Sequence, residues 1–144
     1  MEKLEKKYNN LVKIHRRLAT AIEKYKEALA DENADCETID LIRDSLIKRF
    51  ELTYDLLWKY LREYVIAVRG VAIDSPRKVF QECLSLGLTN REETVQLVDL
   101  IEDRNLTTHV YDIDLANKVA ADIQKHHDVI QAIIMKASPN TLKK

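Results

Sequence analysis

Apolar side chains recur over the first thirty residues in alternating steps of four and three: Leu4, Tyr8, Leu11, His15, Leu18, Ile22, Tyr25 and Leu29. That spacing puts them on one stripe of a helix and predicts helix from about Lys3 to Ala30. Sustained over about four heptads, it also fits a coiled-coil seam. His15 interrupts the stripe and reads as an interfacial or hydrogen-bonded structural histidine. DENADCET (31–38) is rich in capping residues and reads as a loop. A second helix is expected from near Glu37 to Gly70, whose tolerance of positive φ suits a helix end. Its inward positions are Ile42, Leu46, Phe50, Leu57, Leu61 and Tyr64, with Trp58 beside them. Glu51, Asp55 and Lys59, four apart, make a charged stripe that reads as intrahelical pairing.

DSPRKVF (74–80) has the signs of a helix start, with Asp74 or Ser75 as cap and Pro76 in the first turn. This short third helix should end by Gly87. LTNREETV opens a fourth, capped by Thr89 or Asn90, with acidic residues favouring the positive end of the helix dipole. Val95, Val98 and Ile101 are its expected buried face. Asp112 caps a fifth, which carries Leu115, Val119, Ile123, Val129 or Ile130, and Ile133 inward and fades into a flexible tail at 138–144. The pattern predicts an all-α protein: an up-and-down antiparallel bundle with a four-helix core and about five helices, residues 1–144 forming one domain.

Composition narrows the function classes. Two glycines and two prolines are too few for a sheet protein, and neither glycine sits in a phosphate-cradling loop. A P-loop, a dinucleotide fingerprint and the Gly-Ser turn of nucleotidyltransferases are therefore excluded, and the chain is not itself a nucleotidyltransferase. No apolar run approaches the ~20 residues of a membrane span, and no apolar stretch follows the charged start as in a signal peptide. Cys36 and Cys83, without metal-like spacing, suit reduced thiols in the cytoplasm. His126 and His127 are adjacent and splay about 100° apart on a helix, a poor arrangement for one metal. No metal and no cofactor is expected.

A net charge of −1 gives no global field for nucleic acid, and no DNA partner is expected. The charge is uneven, however. Residues 1–30 hold eight basic side chains against four acidic, and residues 91–114 hold two against seven. The plain reading is solvated helix faces; the sharper one is complementarity between helices or subunits.

RNLTTHVYD (104–112) concentrates the remaining chemistry. Arg104 and Thr108 are i and i+4 and share a helix face, with Asn105 and His109 alongside. A guanidinium, an imidazole and hydroxyls at a helix end can hold a phosphodiester. For RNA cleavage, His109 could move the proton of a 2′-hydroxyl or of the leaving oxygen, with Arg104 neutralising charge on the phosphorane. One copy supplies one imidazole, so a symmetric dimer would make a fuller site. The competing reading is a polar helix end, with Arg104 paired to Glu102, Asp103 or a neighbouring helix.

The stretch resembles the HEPN signature of nucleotidyltransferase substrate-binding proteins, the HEPN halves of MNT–HEPN pairs: Arg, Asn, three residues, His, one residue, Tyr, Asp. KRFELTYDLLWKYL (48–61) resembles that family's second-helix pattern at Phe50, Glu51, Tyr54, Asp55, Trp58 and Lys59. SPRKVFQECLSLGL (75–88) is similar to a third segment, and the matches run in order over about residues 40–125. The resemblance implies a bundle that dimerises and docks with a separately encoded minimal nucleotidyltransferase, forming a hetero-oligomer. It implies a metal-independent RNase toxin using Arg104 and His109 with Asn105 in support, silenced by AMP transfer to Tyr111. Glu51, Asp55, Trp58, Lys59 and Thr108 would support the site or an interface. The alternative role is a non-catalytic adaptor that presents the nucleotidyltransferase's substrate.

Overall fold

The computed structural model describes residues 1–142. They form α1 (Glu2–Ala30), α2 (Cys36–Arg69), α3 (Pro76–Ser85), α4 (Arg91–Leu106) and α5 (Ile113–Lys136), with single 3₁₀ turns at Thr107–His109 and Pro139–Leu142. The protein is all-α, and no strand occurs among the described residues.

Local chemistry sets the helix ends. Asp35 caps α2 by accepting from the Thr38 N–H at 2.7 Å. Asn90 and Glu93 close a reciprocal capping box on α4, the Asn90 carboxamide accepting from the Glu93 N–H and the Glu93 carboxylate from the Asn90 N–H. Asp112 caps α5 by accepting from the N–H groups of Asp114 and Leu115. Gly70 ends α2 at φ 70°, in the left-handed region where a side chain would be strained. Gly87 does the same after α3 at φ 77°, where the Leu88 N–H reaches back to the Cys83 carbonyl.

Cross-helix contacts give the topology. Lys7 meets Glu63, and Arg49 donates to the Arg17 carbonyl, so α1 and α2 run antiparallel. Tyr8 donates to Ile134 and Lys26 to Gln124, so α5 also runs against α1. Lys136 meets Glu93 and His126 meets Asp103, so α4 runs against α5. The result is an up-down-up-down bundle of α1, α2, α4 and α5, with α3 carrying the chain from α2 to α4. Helix α2 is the longest and touches each of the other four. Phe50, Leu57, Leu61, Leu97, Leu100, Ile123, Ile130 and Ile133 are all fully buried in the shared core.

The structure changes several sequence expectations. Helix α4 buries Leu97, Leu100 and Ile101, whereas Val95 is 63% exposed and Val98 only half-buried. On α1, Ala28 takes the inward place and Leu29 is exposed. Ala116, rather than Leu115, is the first fully inward residue of α5. The expected flexible tail is docked as far as it is described: Pro139 is buried, the Tyr60 hydroxyl donates to the Ala137 carbonyl, and the Tyr64 and Thr141 hydroxyls meet at 2.7 Å. Residues 143 and 144 lie outside the described residues. The basic and acidic segments do not complement each other within the chain, because α1 and α4 occupy opposite corners of the bundle. His15 is structural: its Nε2 bonds the His127 carbonyl at 3.0 Å, and its ring stacks on the His127 ring at 3.8 Å. Burial pushes this imidazole down from its ordinary value. Cys83 is buried and its thiol pushed up to about 12, while Cys36 is exposed; both are free.

Candidate functional site

The α-helical hydrogen-bond pattern of α4 gives way to the tighter 3₁₀ pattern at Thr107, and this change of pitch sets the geometry of the corner. Thr107, not Thr108, meets the arginine. Its hydroxyl donates to the Arg104 carbonyl at 2.6 Å and accepts from Arg104 Nη1 at 2.9 Å. Thr108 is displaced outward and donates to the Asn105 carbonyl at 3.0 Å. The expectation that Arg104 and Thr108 share a face fails because 3₁₀ geometry places i+3, rather than i+4, above a residue.

Arg104 turns towards α2. Nη1 lies 3.2 Å from Glu51 Oε2, and Nε lies 3.8 Å from Asp55 Oδ1 without a hydrogen bond of its own. The guanidinium sits 5.9 Å from the centre of the Tyr54 ring. Burial pushes the Tyr54 phenol up, against the pull of the Arg104 charge. The stripe of Glu51 and Asp55 is thus a clamp for Arg104 and not an intrahelical pair with Lys59, which is exposed and makes no ion pair among the described residues. Trp58 packs partly against the core, with the Arg62 guanidinium 5.1 Å from its ring.

His109 ends the 3₁₀ turn in an exposed position, and its Nδ1 lies 3.2 Å from the Tyr111 hydroxyl. The two rings meet edge to face, 5.9 Å between centres. Tyr111 is 81% exposed, an extreme value for so large a ring. Asn105 is also exposed. The corner therefore divides into an anchored cation, Arg104, and an exposed imidazole–phenol pair. Among the described residues, no hydrogen bond or ring contact joins the side chains of the two halves.

Asp103, the residue before Arg104, faces inward. Its Oδ2 lies 2.6 Å from His126 Nε2 and its Oδ1 2.6 Å from Lys118 Nζ. Burial alone would raise this carboxyl, but the hydrogen bonds from His126 and Lys118 outweigh it and hold the group down at about 2. Asp103 is therefore a buried, compensated charge and adds nothing to a negative surface. Asp122 brings an oxygen close enough that Asp103, Asp122 and His126 could present ligand atoms within 4.8 Å of one another. The Lys118 ammonium lies 2.6 Å from Asp103 and 3.4 Å from Asp122 and supplies the positive charge there. The sequence reading missed this network and Thr107. The available signal was register: Asp103 and His126 occupy inward positions of α4 and α5 that their polarity disguises.

Comparison with known proteins agrees with this architecture. No curated protein sequence matches the chain. A Thermus thermophilus protein of known crystal structure superposes with a TM-score of 0.66 and is 26% identical, the match covering 83% of this chain and 98% of that one. Among the described residues, no helix is long and apolar enough to cross a membrane. The family model described as "Nucleotidyltransferase substrate binding protein like" matches residues 6–137, through all five helices, and the chain belongs to that family.

Proposed function

We propose that the chain is the HEPN-type partner of a separately encoded minimal nucleotidyltransferase, a metal-independent RNase toxin that its partner silences by transferring AMP to Tyr111. Family membership supports the partnership. The observation that carries the finer reading is the exposed His109–Tyr111 pair at 3.2 Å. A phenol 81% exposed at a helix junction is open to a second protein's active site. With its other nitrogen protonated, His109 accepts the phenolic proton through Nδ1. The phenolate oxygen then bonds to the α-phosphorus of ATP, and pyrophosphate leaves. Before modification the same imidazole is free to move protons at an RNA 2′-hydroxyl, with Arg104 and Asn105 on the adjoining turn. The adduct brings charge and bulk to His109 and blocks that access. A two-fold dimer would place two such corners in one cleft. Asp103 is turned inward and neutralised by His126 and Lys118, so it does not oppose a phosphate, whereas Glu102, Asp112 and Asp114 stay exposed.

The adaptor reading draws on a different observation. Arg104 is held by Glu51 and Asp55 and its side chain is only 23% exposed, which suits a structural cation. Expression of the chain alone separates the two. The toxin reading expects growth arrest that Arg104→Ala or His109→Ala relieves, and RNA cleavage by the purified protein. A harmless wild type that leaves RNA intact sinks it and leaves the adaptor. Intact mass after co-expression with the partner should show AMP additions that Tyr111→Phe removes.

A further inference from the structure

We infer that the seam between α1 and α2 is a binding track for the phosphodiester backbone of single-stranded RNA, an inference that rests on the RNase reading above. Arg17, Thr20 and Lys24 fall three and four residues apart and so share one face of α1. Thr20, Lys24, Ser45 and Arg49 line a groove of about 270 Å³ between the two helices. Lys48 stands exposed on α2 beside Arg49.

What sets this seam apart is the lack of counter-charge. Among the described residues, Arg17, Lys48 and Arg49 make no ion pair with any carboxylate. Arg49 donates Nη1 to the Arg17 carbonyl at 2.7 Å, which ties the helices together and leaves Nη2 and Nε without an acceptor among the described residues. The Ser45 hydroxyl likewise has no partner among them. Lys24 meets Glu27 at 3.8 Å, but both are about two-thirds exposed, so the contact is screened and readily exchanged for a phosphate. The other carboxylates near the seam are engaged elsewhere: Asp40 and Asp44 by Arg43, Glu23 by Lys26, Glu51 and Asp55 by Arg104. Over this stretch α2 turns Glu51 and Asp55 to Arg104 of α4 and Arg49 to α1.

A row of cations on two rigid helices recognises a repeating anion. Arg17 and Lys24 stand about 10 Å apart along α1 at 1.5 Å per residue, too far for one small anion to meet both and a span that reaches past a single phosphate of an extended strand. Lys48 sits on the shoulder of α2, between the seam and the face that holds Glu51 and Arg104. A strand leaving the seam over that shoulder is directed towards the corner carrying Arg104 and His109.

The test is fluorescence anisotropy with a labelled 2′-O-methyl oligouridylate of about 20 nucleotides, which keeps the phosphates and cannot be cleaved through its 2′ oxygen. The wild type should bind with an affinity that falls steeply with salt. Arg17→Gln combined with Lys48→Gln, both at exposed positions that leave the Arg49 hydrogen bond intact, should weaken binding at low salt about tenfold. It should also flatten the salt dependence by about 1.4 in log–log slope, the expected release from two phosphates of a single strand. Lys118→Gln is unsuitable as a control because it touches Asp103; Lys3→Gln with Lys6→Gln removes the same charge from α1 outside the groove and should leave binding within about twofold. Equal loss in that control overturns the seam as the site. A DNA oligomer of equal length that binds tenfold tighter overturns the assignment to RNA. So does a seam variant that loses the nucleotidyltransferase complex while holding RNA as the wild type does. RNA bound at the seam without any cleavage counts against the RNase reading and not against the track.

Discussion

His126 Nε2 lies 2.6 Å from Asp103 Oδ2 in the interior of the bundle, and this contact fixes the last turn of α4 against α5. Because Asp103 is ionised, Nε2 is the donor. The His126 ring also stacks on Phe50 of α2, with centres 5.4 Å apart, so one imidazole ties three helices together. Adjacent residues of α4 thereby take opposite tasks: Asp103 reaches inward to α5, and Arg104 reaches across to α2. Replacing Asp103 with alanine strands the buried His126 without its acceptor and leaves Lys118 only Asp122, and a loss of about 3–5 kcal/mol is expected. Asp103→Asn keeps an acceptor oxygen and should lose about half as much. Urea unfolding of the two variants against wild type measures both.

Two pH windows should follow from the buried ionisable groups. The Asp103 carboxyl sits below its unfolded value of 3.8, at about 2, so its stabilisation is complete above pH 4 and disappears as pH falls towards 2. The His15 imidazole is depressed from 6.5, chiefly by burial and then by the facing His127, with only the His127 carbonyl and Asp128 pulling the other way. Its stabilisation is present above pH 6.5 and is lost as pH falls through its lower folded value. Melting temperatures by circular dichroism should therefore drop in two stages. His15→Gln should flatten the first and Asp103→Asn the second.

The helix ends were legible in the sequence because they rest on chemistry confined to a few residues. Gly70 must end α2, since only glycine adopts φ 70° without strain, and Asn90 with Glu93 spells out its own capping box. The buried face of α4 was not legible. Val95 and Val98 are as apolar as Leu97 and Leu100, and the choice between them depends on where α5 lies. Asp103 and His126 deepen the problem, because a compensated charge can fill an inward position that an apolar pattern leaves blank. RNLTTHVYD falls at the corner between α4 and α5, but only the shift to 3₁₀ pitch decides that Thr107 holds Arg104. The α2 carboxylates looked like a local ladder, and their true partner lies about fifty residues away in sequence.

The docked C-terminal turn should matter for stability. Removing residues after Lys136 orphans the fully buried Tyr60 hydroxyl, takes away the buried Ala137 and Pro139, and breaks the Tyr64–Thr141 contact. One stranded buried hydroxyl with some lost apolar cover amounts to about 2–4 kcal/mol. The truncated chain should unfold at a correspondingly lower urea midpoint.

Arg104→Ala takes the cationic partner from both Glu51 and Asp55, leaving two like charges one turn apart on α2. The site is half open to solvent, so the expected cost is about 1–2 kcal/mol, and the variant should fold. Restoring neutrality with Glu51→Gln and Asp55→Asn in the same chain should return most of that stability and, under the toxin reading, should not return RNA cleavage. If cleavage returns with stability, Arg104 acts only by holding the helices together.

Tyr111→Phe provides the cleanest separation of structure from chemistry. The ring is 81% exposed, and the one hydrogen bond it loses, to His109 Nδ1, is itself at the surface. Stability should therefore change by less than about 0.5 kcal/mol. Under the toxin reading, this variant keeps His109 and Arg104, so expression alone should arrest growth as the wild type does. Co-expression with the nucleotidyltransferase should no longer rescue it, because the acceptor oxygen is gone, and intact mass should show no AMP. His109→Ala is the converse: growth continues with or without the partner, and addition to Tyr111 slows because Nδ1 no longer takes the phenolic proton. Undiminished modification of the His109→Ala chain would assign that proton to a base on the nucleotidyltransferase and leave His109 with the RNA alone.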